Sequence, residues 1–306
     1  MTLSELVTLS LEGKYPLSIY WEMRRGFLRI LKRKLTSKKS LAEKRPSVSQ
    51  VELKKLFDNL ELSPSDSVFV HSGLGNIGVI EGGRKAVYSL LRKYIDIKKG
   101  NLLFPTLSFY PRMFDYLESN PSFDVRTAPN YMGSLSQYAL KVGEGRRSIH
   151  PTHSVLAVGK DAAFLTTEHH LDSTPFGPHS PYQRLLKLKG FKILLLGVST
   201  DVITHIHAVE DIMGEAFPIQ TYTNKNYHLL CKDWNGKDIN ITTRCHTPVL
   251  SLARDVTRFD KTISIAGAVL KEMALGLSSI QLLCGHAFCE LLIDLSKKGR
   301  TVYGKA

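Results

Sequence analysis

Residues 192–210 read KILLLGVSTDVITHIHAVE. The first seven form the most apolar strand candidate in the chain. A strand with one wet face would alternate, so 192–198 predicts a strand buried on both faces. A helix is expected straight after it, from about Thr204 to Gly214. On that helix His207 and Glu210 stand three apart, share a face and can touch. A carboxylate beside an imidazole fixes its tautomer and raises its basicity. The pair sits at the N-terminal end of a helix leaving a buried strand. It has the form of a general base with its orienting acid.

Upstream, the same alternation repeats. A helix over 49–60 leads to a strand at Ser67–His71, and a helix over 82–95 carries Val87, Leu90, Leu91 and Ile95 at helical spacing. A strand at Asn101–Thr106, a helix over 134–141, a strand over 154–158 and a helix over 182–188 follow. Strands alternating with helices predict a three-layer α/β/α domain. Downstream, 217–265 is rich in Thr, Asn, Tyr and Val. It predicts hairpins added to the sheet, with Trp234-Asn235-Gly236 as a turn. Helices are expected near 266–275 and 286–297.

Open α/β sheets place their sites at strand ends, and two further strand ends carry reactive side chains. One is Val70-His71-Ser72-Gly73-Leu74 with Asn76 and Gly78. The other is residues 146–154, RRSIHPTHS, where His150 and His153 flank Pro151-Thr152. Proline removes a donor and stiffens the turn. A surface turn and a site both account for that group.

The chain has 306 residues, with 43% hydrophobic and 23% charged, the composition of a soluble globular protein. No apolar run approaches the ~18 residues of a membrane span. The N-terminus has no secretory pattern and the four cysteines are too scattered for a disulfide framework, so a cytoplasmic location is expected. The net charge is +13, and residues 1–45 hold eleven basic and four acidic residues. Residues 1–47 read as a basic arm and linker, and 48–306 as the main domain. Within the arm, 21–34 places Met23, Phe27, Leu28, Ile30 and Leu31 on one side of a helix. Arg25, Arg29, Lys32 and Arg33 lie on the other. This pattern suits an anionic membrane surface. No nucleic-acid-binding motif is visible, and none is expected as a partner.

Together these motifs resemble the aminoglycoside 3-N-acetyltransferase family, also called the antibiotic N-acetyltransferase family. The matches run in order: VFVHSGLGNIGVIEGG (68–83), LLFPT (102–106), FDVRTAPNYMGSL (123–135), RRSIHPTHSVLAVG (146–159), PFGPHSPYQRLL (175–186) and ILLLGVSTDVITHIHAVE (193–210). The resemblance covers roughly 49–300 and leaves the basic arm outside. It implies the three-layer fold, acetyl-CoA as donor and an amine on a sugar-like ring as acceptor. His207, Glu210 and His150 match the family's active-site motifs. Ser72, Thr106, Thr152 and Ser154 match its cofactor-facing motifs. No cysteine falls in a matched motif, so direct transfer without an acyl-enzyme is expected, with no metal.

Aminoglycosides are polycations, and a chain of +13 is expected to favour an anionic acceptor. An amino sugar of surface polysaccharide biosynthesis, carried on a nucleotide or lipid phosphate, fits that charge. Antibiotic acetylation is the alternative. A metal-dependent hydrolase built on His205, His207, Glu210, Asp211 and His150 is the rival from another class.

Overall fold

The computed structural model describes Tyr15, residues 17–36 and residues 45–306, with 17 and 29–36 as backbone only. A helix α1 (Leu17–Thr36) precedes α2 (Gln50–Asp58), whose Ser49 cap accepts from the Glu52 N–H. The core then alternates: β1 (Ser67–Ser72), α3 (Gly83–Tyr94), β2 (Asn101–Pro105), a short α4 (Met113–Glu118), β3 (Phe123–Asp124) and α5 (Gly133–Val142). β4 (Arg146–Arg147), β5 (Val155–Gly159), α6 (Pro181–Leu185), β6 (Phe191–Leu196) and α7 (His205–Met213) follow. The C-terminal part adds β7 (Tyr222–Lys232), β8 (Asp238–His246), α8 (Leu250–Ala253), β9 (Val269–Leu275), β10 (Ser278–Cys284) and α9 (Gly285–Lys297).

The main sheet has seven strands in the order β9-β10-β6-β1-β2-β5-β4. β1 runs parallel to both β6 and β2, while β5 is antiparallel to β2. As the apolar run requires, β6 is buried on both faces. Ile193 and Leu195 join Phe69 and Leu103 on one face, under residues of α1, α6, α7 and α9. Leu194 and Leu196 join Val68, Val70, Leu102 and Phe104 on the other, under α2, α3 and α5. Each such side chain is worth roughly 1.5–3 kcal/mol when fully buried. The fold is the expected three-layer α/β/α sandwich.

Two expectations are corrected. The 266–275 stretch is not a helix but holds strand β9, joined to β10 by Gly276 and Leu277. Gly276 has φ +57°, and a Cβ there would lie 2.1 Å from the Ile77 carbonyl oxygen. Only glycine lets this turn press so close. The 217–265 segment does form a hairpin, with Gly236 (φ +80°) in its turn. It does not extend the main sheet. β7 pairs instead with β3, Phe123 opposite Cys231, in a separate three-stranded sheet. The reason is burial: Tyr227, Leu229, Cys231 and Ile241 close over Leu117, Val125 and Ile149 in a core of their own.

The expected arm contains α1, and α1 is packed as part of the domain. Ile19 and Met23 belong to the main core. A Cβ on Gly26 would sit 1.7 Å from the Leu252 carbonyl oxygen, so glycine alone allows α1 to lie against α8. Met23, placed by sequence on a membrane-facing side, is therefore spent on the protein's own interior. Trp21 and Leu28 remain exposed, with Arg24 stacked over Trp21. The side chains of Arg29, Ile30, Leu31, Lys32 and Arg33, and most of the expected linker, lie outside the described residues. Among the described residues no helix is long and apolar enough to cross a membrane.

Candidate active site

Because β6, β1 and β2 are parallel, their C-terminal ends share one edge of the sheet. β5 enters from that same edge, with Val155 opposite Pro105. The topology thus gathers Ser72, Thr106, the 150–154 turn and the start of α7 on one rim. A cleft of about 270 Å³ opens beside it, lined by Phe109, Met113, His153, His207, His246, Leu250, Arg254 and Tyr303 among others.

His207 and Glu210 meet as their spacing requires. His207 Nδ1 lies 3.1 Å and 3.2 Å from the two carboxylate oxygens. Glu210 also takes His246 Nε2 at 3.1 Å and the Tyr303 hydroxyl at 2.7 Å. Burial pushes the Glu210 carboxyl up, but the His207 and His246 imidazoles outweigh it and hold the carboxyl well below the usual range. An ionised carboxylate only accepts. Each neighbour therefore donates: His207 through Nδ1–H, His246 through Nε2–H, and Tyr303 through its hydroxyl. With its proton on Nδ1, a neutral His207 ring carries its lone pair on Nε2. Arg254 Nη1 approaches that nitrogen at 3.5 Å. A positioned base with a fixed tautomer can take a proton from an incoming group.

The RRSIHPTHS segment divides its histidines. His150 is fully buried and does not line the cleft. Its Nδ1 accepts from the backbone N–H of Thr152 at 3.3 Å and of His153 at 3.2 Å, and its ring stacks on His169 at 4.6 Å. Burial, aided by His169 and His170, holds its pKa far below the ordinary value. Its place is that of a turn-former beneath the site. His153, six residues past β4 and not singled out for catalysis, is the imidazole of this segment that reaches the cleft.

None of the four expected cofactor-facing hydroxyls lines the cleft. Thr106 and Ser154 are fully buried, 3.0 Å apart, and both accept from Arg147 Nε. Arg147 also donates to Ser108 Oγ and to the carbonyls of Thr106, Ala128 and Pro129. It is 1% exposed and faces no carboxylate among the described residues; burial brings its pKa down to about 10. These hydroxyls solvate a buried cation. Thr152 Oγ1 lies between His150 Nδ1 and His153 Nδ1. Ser72 is half-buried at the end of β1, and a Cβ on Gly133 would lie 3.4 Å from its carbonyl oxygen.

His246 and Tyr303 were not foreseen. They arrive from the end of β8 and from the C-terminal turn, 36 and 93 residues from Glu210, where no local pattern marks them. Among the described residues, His207, Glu210 and His246 have ligand atoms within 4.8 Å of one another, close enough to hold a metal. In this structure both imidazoles hydrogen-bond the Glu210 carboxylate. The rival hydrolase set does not converge. His205 is buried among Phe69, Tyr182 and Phe191. Asp211 accepts from Thr174 on the wall of a separate cavity.

Comparison with known proteins agrees with this fold. The family model described as aminoglycoside 3-N-acetyltransferase matches residues 69–294. An aminoglycoside N(3)-acetyltransferase III of Serratia marcescens is 34% identical over 164 residues, half of this chain and 60% of that protein. A type VII enzyme of Streptomyces paromomycinus is 28% identical over 186 residues, covering 56% of this chain and 64% of the relative. The chain thus spans about 60% of the length of such relatives. Among solved structures, the aminoglycoside acetyltransferase AAC(3)-IIb is 25% identical with a TM-score of 0.66, over 82% of this chain and 97% of that one. An AAC-IIIb binary complex with CoASH has a TM-score of 0.68 at 18% identity, covering 83% and 97%; that likeness concerns the fold.

Proposed function

The chain belongs to the aminoglycoside 3-N-acetyltransferase family, and from that premise we propose that it moves the acetyl group of acetyl-CoA onto an amine of a sugar-like ring. The observation that carries this reading is the buried Glu210 carboxylate 3.1 Å from Nδ1 of His207, a residue that lines the cleft, which leaves Nε2 as the ring nitrogen able to accept a proton. An ammonium cannot attack a thioester. The acceptor therefore reacts as the neutral amine, one proton already lost to solvent; as its nitrogen bonds to the thioester carbon, His207 Nε2 takes a second proton from it, the carbon–sulfur bond breaks, and that proton passes to the departing sulfur to release coenzyme A as its thiol. As the proton arrives, Glu210 stabilises the resulting imidazolium through Nδ1–H. Phe109, Met113 and Leu250 give the cleft an apolar wall suited to the acyl end of the donor, and Arg254 adds a cation for its anionic parts. The names of the relatives support an aminoglycoside as acceptor.

The net charge of +13 favours a second acceptor, an amino sugar on a nucleotide or lipid phosphate, as in surface polysaccharide assembly. The exposed Trp21 and Leu28 beside Arg24 and Arg25 would then face an anionic membrane. Release of thiol from acetyl-CoA, measured with kanamycin-type, nucleotide-linked and lipid-linked amines, separates the two. Turnover of the drugs alone removes the second reading. His207→Ala is expected to lose roughly 10²–10⁴ in kcat; a variant near the parent rate would remove the base.

A further inference from the structure

Of the three imidazoles that line the cleft, His207 and His246 hydrogen-bond Glu210 and the third, His153, is not used by the base. His153 is 6% exposed, lines the cleft with His207, and packs on Phe109 (5.4 Å) and Phe176 (4.7 Å). Phe176 also touches the rings of His207 at 5.1 Å and His246 at 5.7 Å. The three imidazoles therefore surround one phenyl ring. Among the described residues His153 has no carboxylate as a hydrogen-bond partner: its Nδ1 lies 3.0 Å from Thr152 Oγ1. Its neighbours within that network are neutral.

The network favours one nitrogen of His153 as the carrier of the ring proton. His150 Nδ1 has one lone pair, and the N–H groups of Thr152 and His153 already point at it. That nitrogen is an acceptor and needs no third donor. The Thr152 hydroxyl, 3.2 Å from it and 3.0 Å from His153 Nδ1, is free to donate to His153 instead. His153 Nδ1 is then an acceptor, and the ring proton sits on Nε2. Burial, with the His246, His150 and His207 rings beside it, keeps this imidazole neutral.

We propose that His153 is a catalytic residue that donates its Nε2–H to the thioester carbonyl oxygen. Resting on the acetyl-transfer reading, it goes beyond it in giving His153 and His207 opposite tautomers and opposite work. His207 accepts the amine's proton. His153 keeps its own, polarises the carbonyl and holds the oxyanion formed when nitrogen adds to carbon. When the oxyanion collapses, the carbon–sulfur bond breaks and the sulfur leaves with the electron pair. A neutral donor suits this step because it stabilises developing charge without surrendering a proton.

Long-range ¹H–¹⁵N spectra of the histidine rings test the tautomer without needing turnover. The His153 signals, assigned by their loss in His153→Gln, should show the Nε2–H form near about pH 7. An Nδ1–H or doubly protonated ring overturns the proposal. In kinetics, His153→Phe keeps the ring packing and removes the donor. It should lower kcat roughly 10²–10³-fold with little change in KM for acetyl-CoA. His153→Gln, whose amide nitrogen falls near Nε2, should recover about tenfold or more of that loss. Thr152→Val, near in volume, should unlock the tautomer and lower kcat by a smaller factor. Equal rates for the Phe and Gln variants would overturn the donor role. If the parent turns over acetyl-CoA with no amine at all, the acetyl-transfer reading falls and takes this role with it, whereas the spectra still report the tautomer.

Discussion

Replacing Glu210 with Gln tests the centre of the site. Oε2 accepts from both His207 and His246, while Oε1 accepts mainly from Tyr303. A glutamine with its oxygen at the Oε2 position still serves both imidazoles. Its NH₂ then faces the Tyr303 hydroxyl, which can turn and accept. The opposite orientation aims N–H groups at two N–H donors and is disfavoured. The tautomer of His207 should survive, and the loss is that of the charge. Charged hydrogen bonds contribute about 1.5–3 kcal/mol against about 0.5–1.5 for neutral ones. The variant should therefore lose about 1–2 kcal/mol of support for the imidazolium, roughly 5- to 30-fold in kcat. The assay is thiol release at saturating amine, with KM for acetyl-CoA expected unchanged. An unaltered kcat would refute the carboxylate's role. A loss near ~10⁴ would mean a reversed tautomer and a wrong hydrogen-bond map. Acid stability gives an independent reading. A carboxyl with a depressed pKa stabilises the fold fully above its unfolded value and loses that contribution as pH falls through the folded one. The stability gap between parent and E210Q should therefore hold from neutral pH down to about pH 5 and shrink as the pH falls below the ordinary carboxyl range.

Further outcomes follow from other parts of the molecule. Arg147→Met strips donors from the buried oxygens of Thr106, Ser108, Ala128, Pro129 and Ser154 and should cost about 3–5 kcal/mol in urea unfolding; a loss below about 1 kcal/mol would show that the cation is not needed. Gly26→Ala forces α1 away from Leu252 and should cost about 1–3 kcal/mol while exposing the helix to protease. An unchanged melting temperature and cleavage pattern would contradict that packing. Exhaustive chelation should leave thiol release intact, since Glu210 already joins His207 and His246 by hydrogen bonds; activity restored only by added zinc would reinstate the metal reading.

Local periodicity made much of the sheet and the His207–Glu210 pair legible. The run at 192–198 and the three-residue spacing are both written in consecutive residues. What the sequence left open depends on distant chain segments. His150 and His153 occupy one turn, and their order says nothing about which faces the cleft. Two backbone N–H groups closing on His150 Nδ1 turn that ring inward and leave His153 outward. The hydroxyls of Thr106 and Ser154 look available for a ligand until Arg147 is found lying across both. The 266–275 helix failed because VLKEMAL carries good helix formers, yet pairing with β10 and the Gly276 turn overrode propensity.

The junction of α1 with α8 bears on how this protein can be shortened. α8 and the residue after it supply Leu250, Ser251 and Arg254 to the cleft, and α1 stands directly behind them. A clone trimmed to start at residue 48, where composition suggests a boundary, would uncover the seats of Ile19 and Met23. The same cut would deprive one bank of the cleft of its buttress. Such a fragment should be stickier than the full chain and bind its donor more weakly, though every motif shared with the family would still be in it.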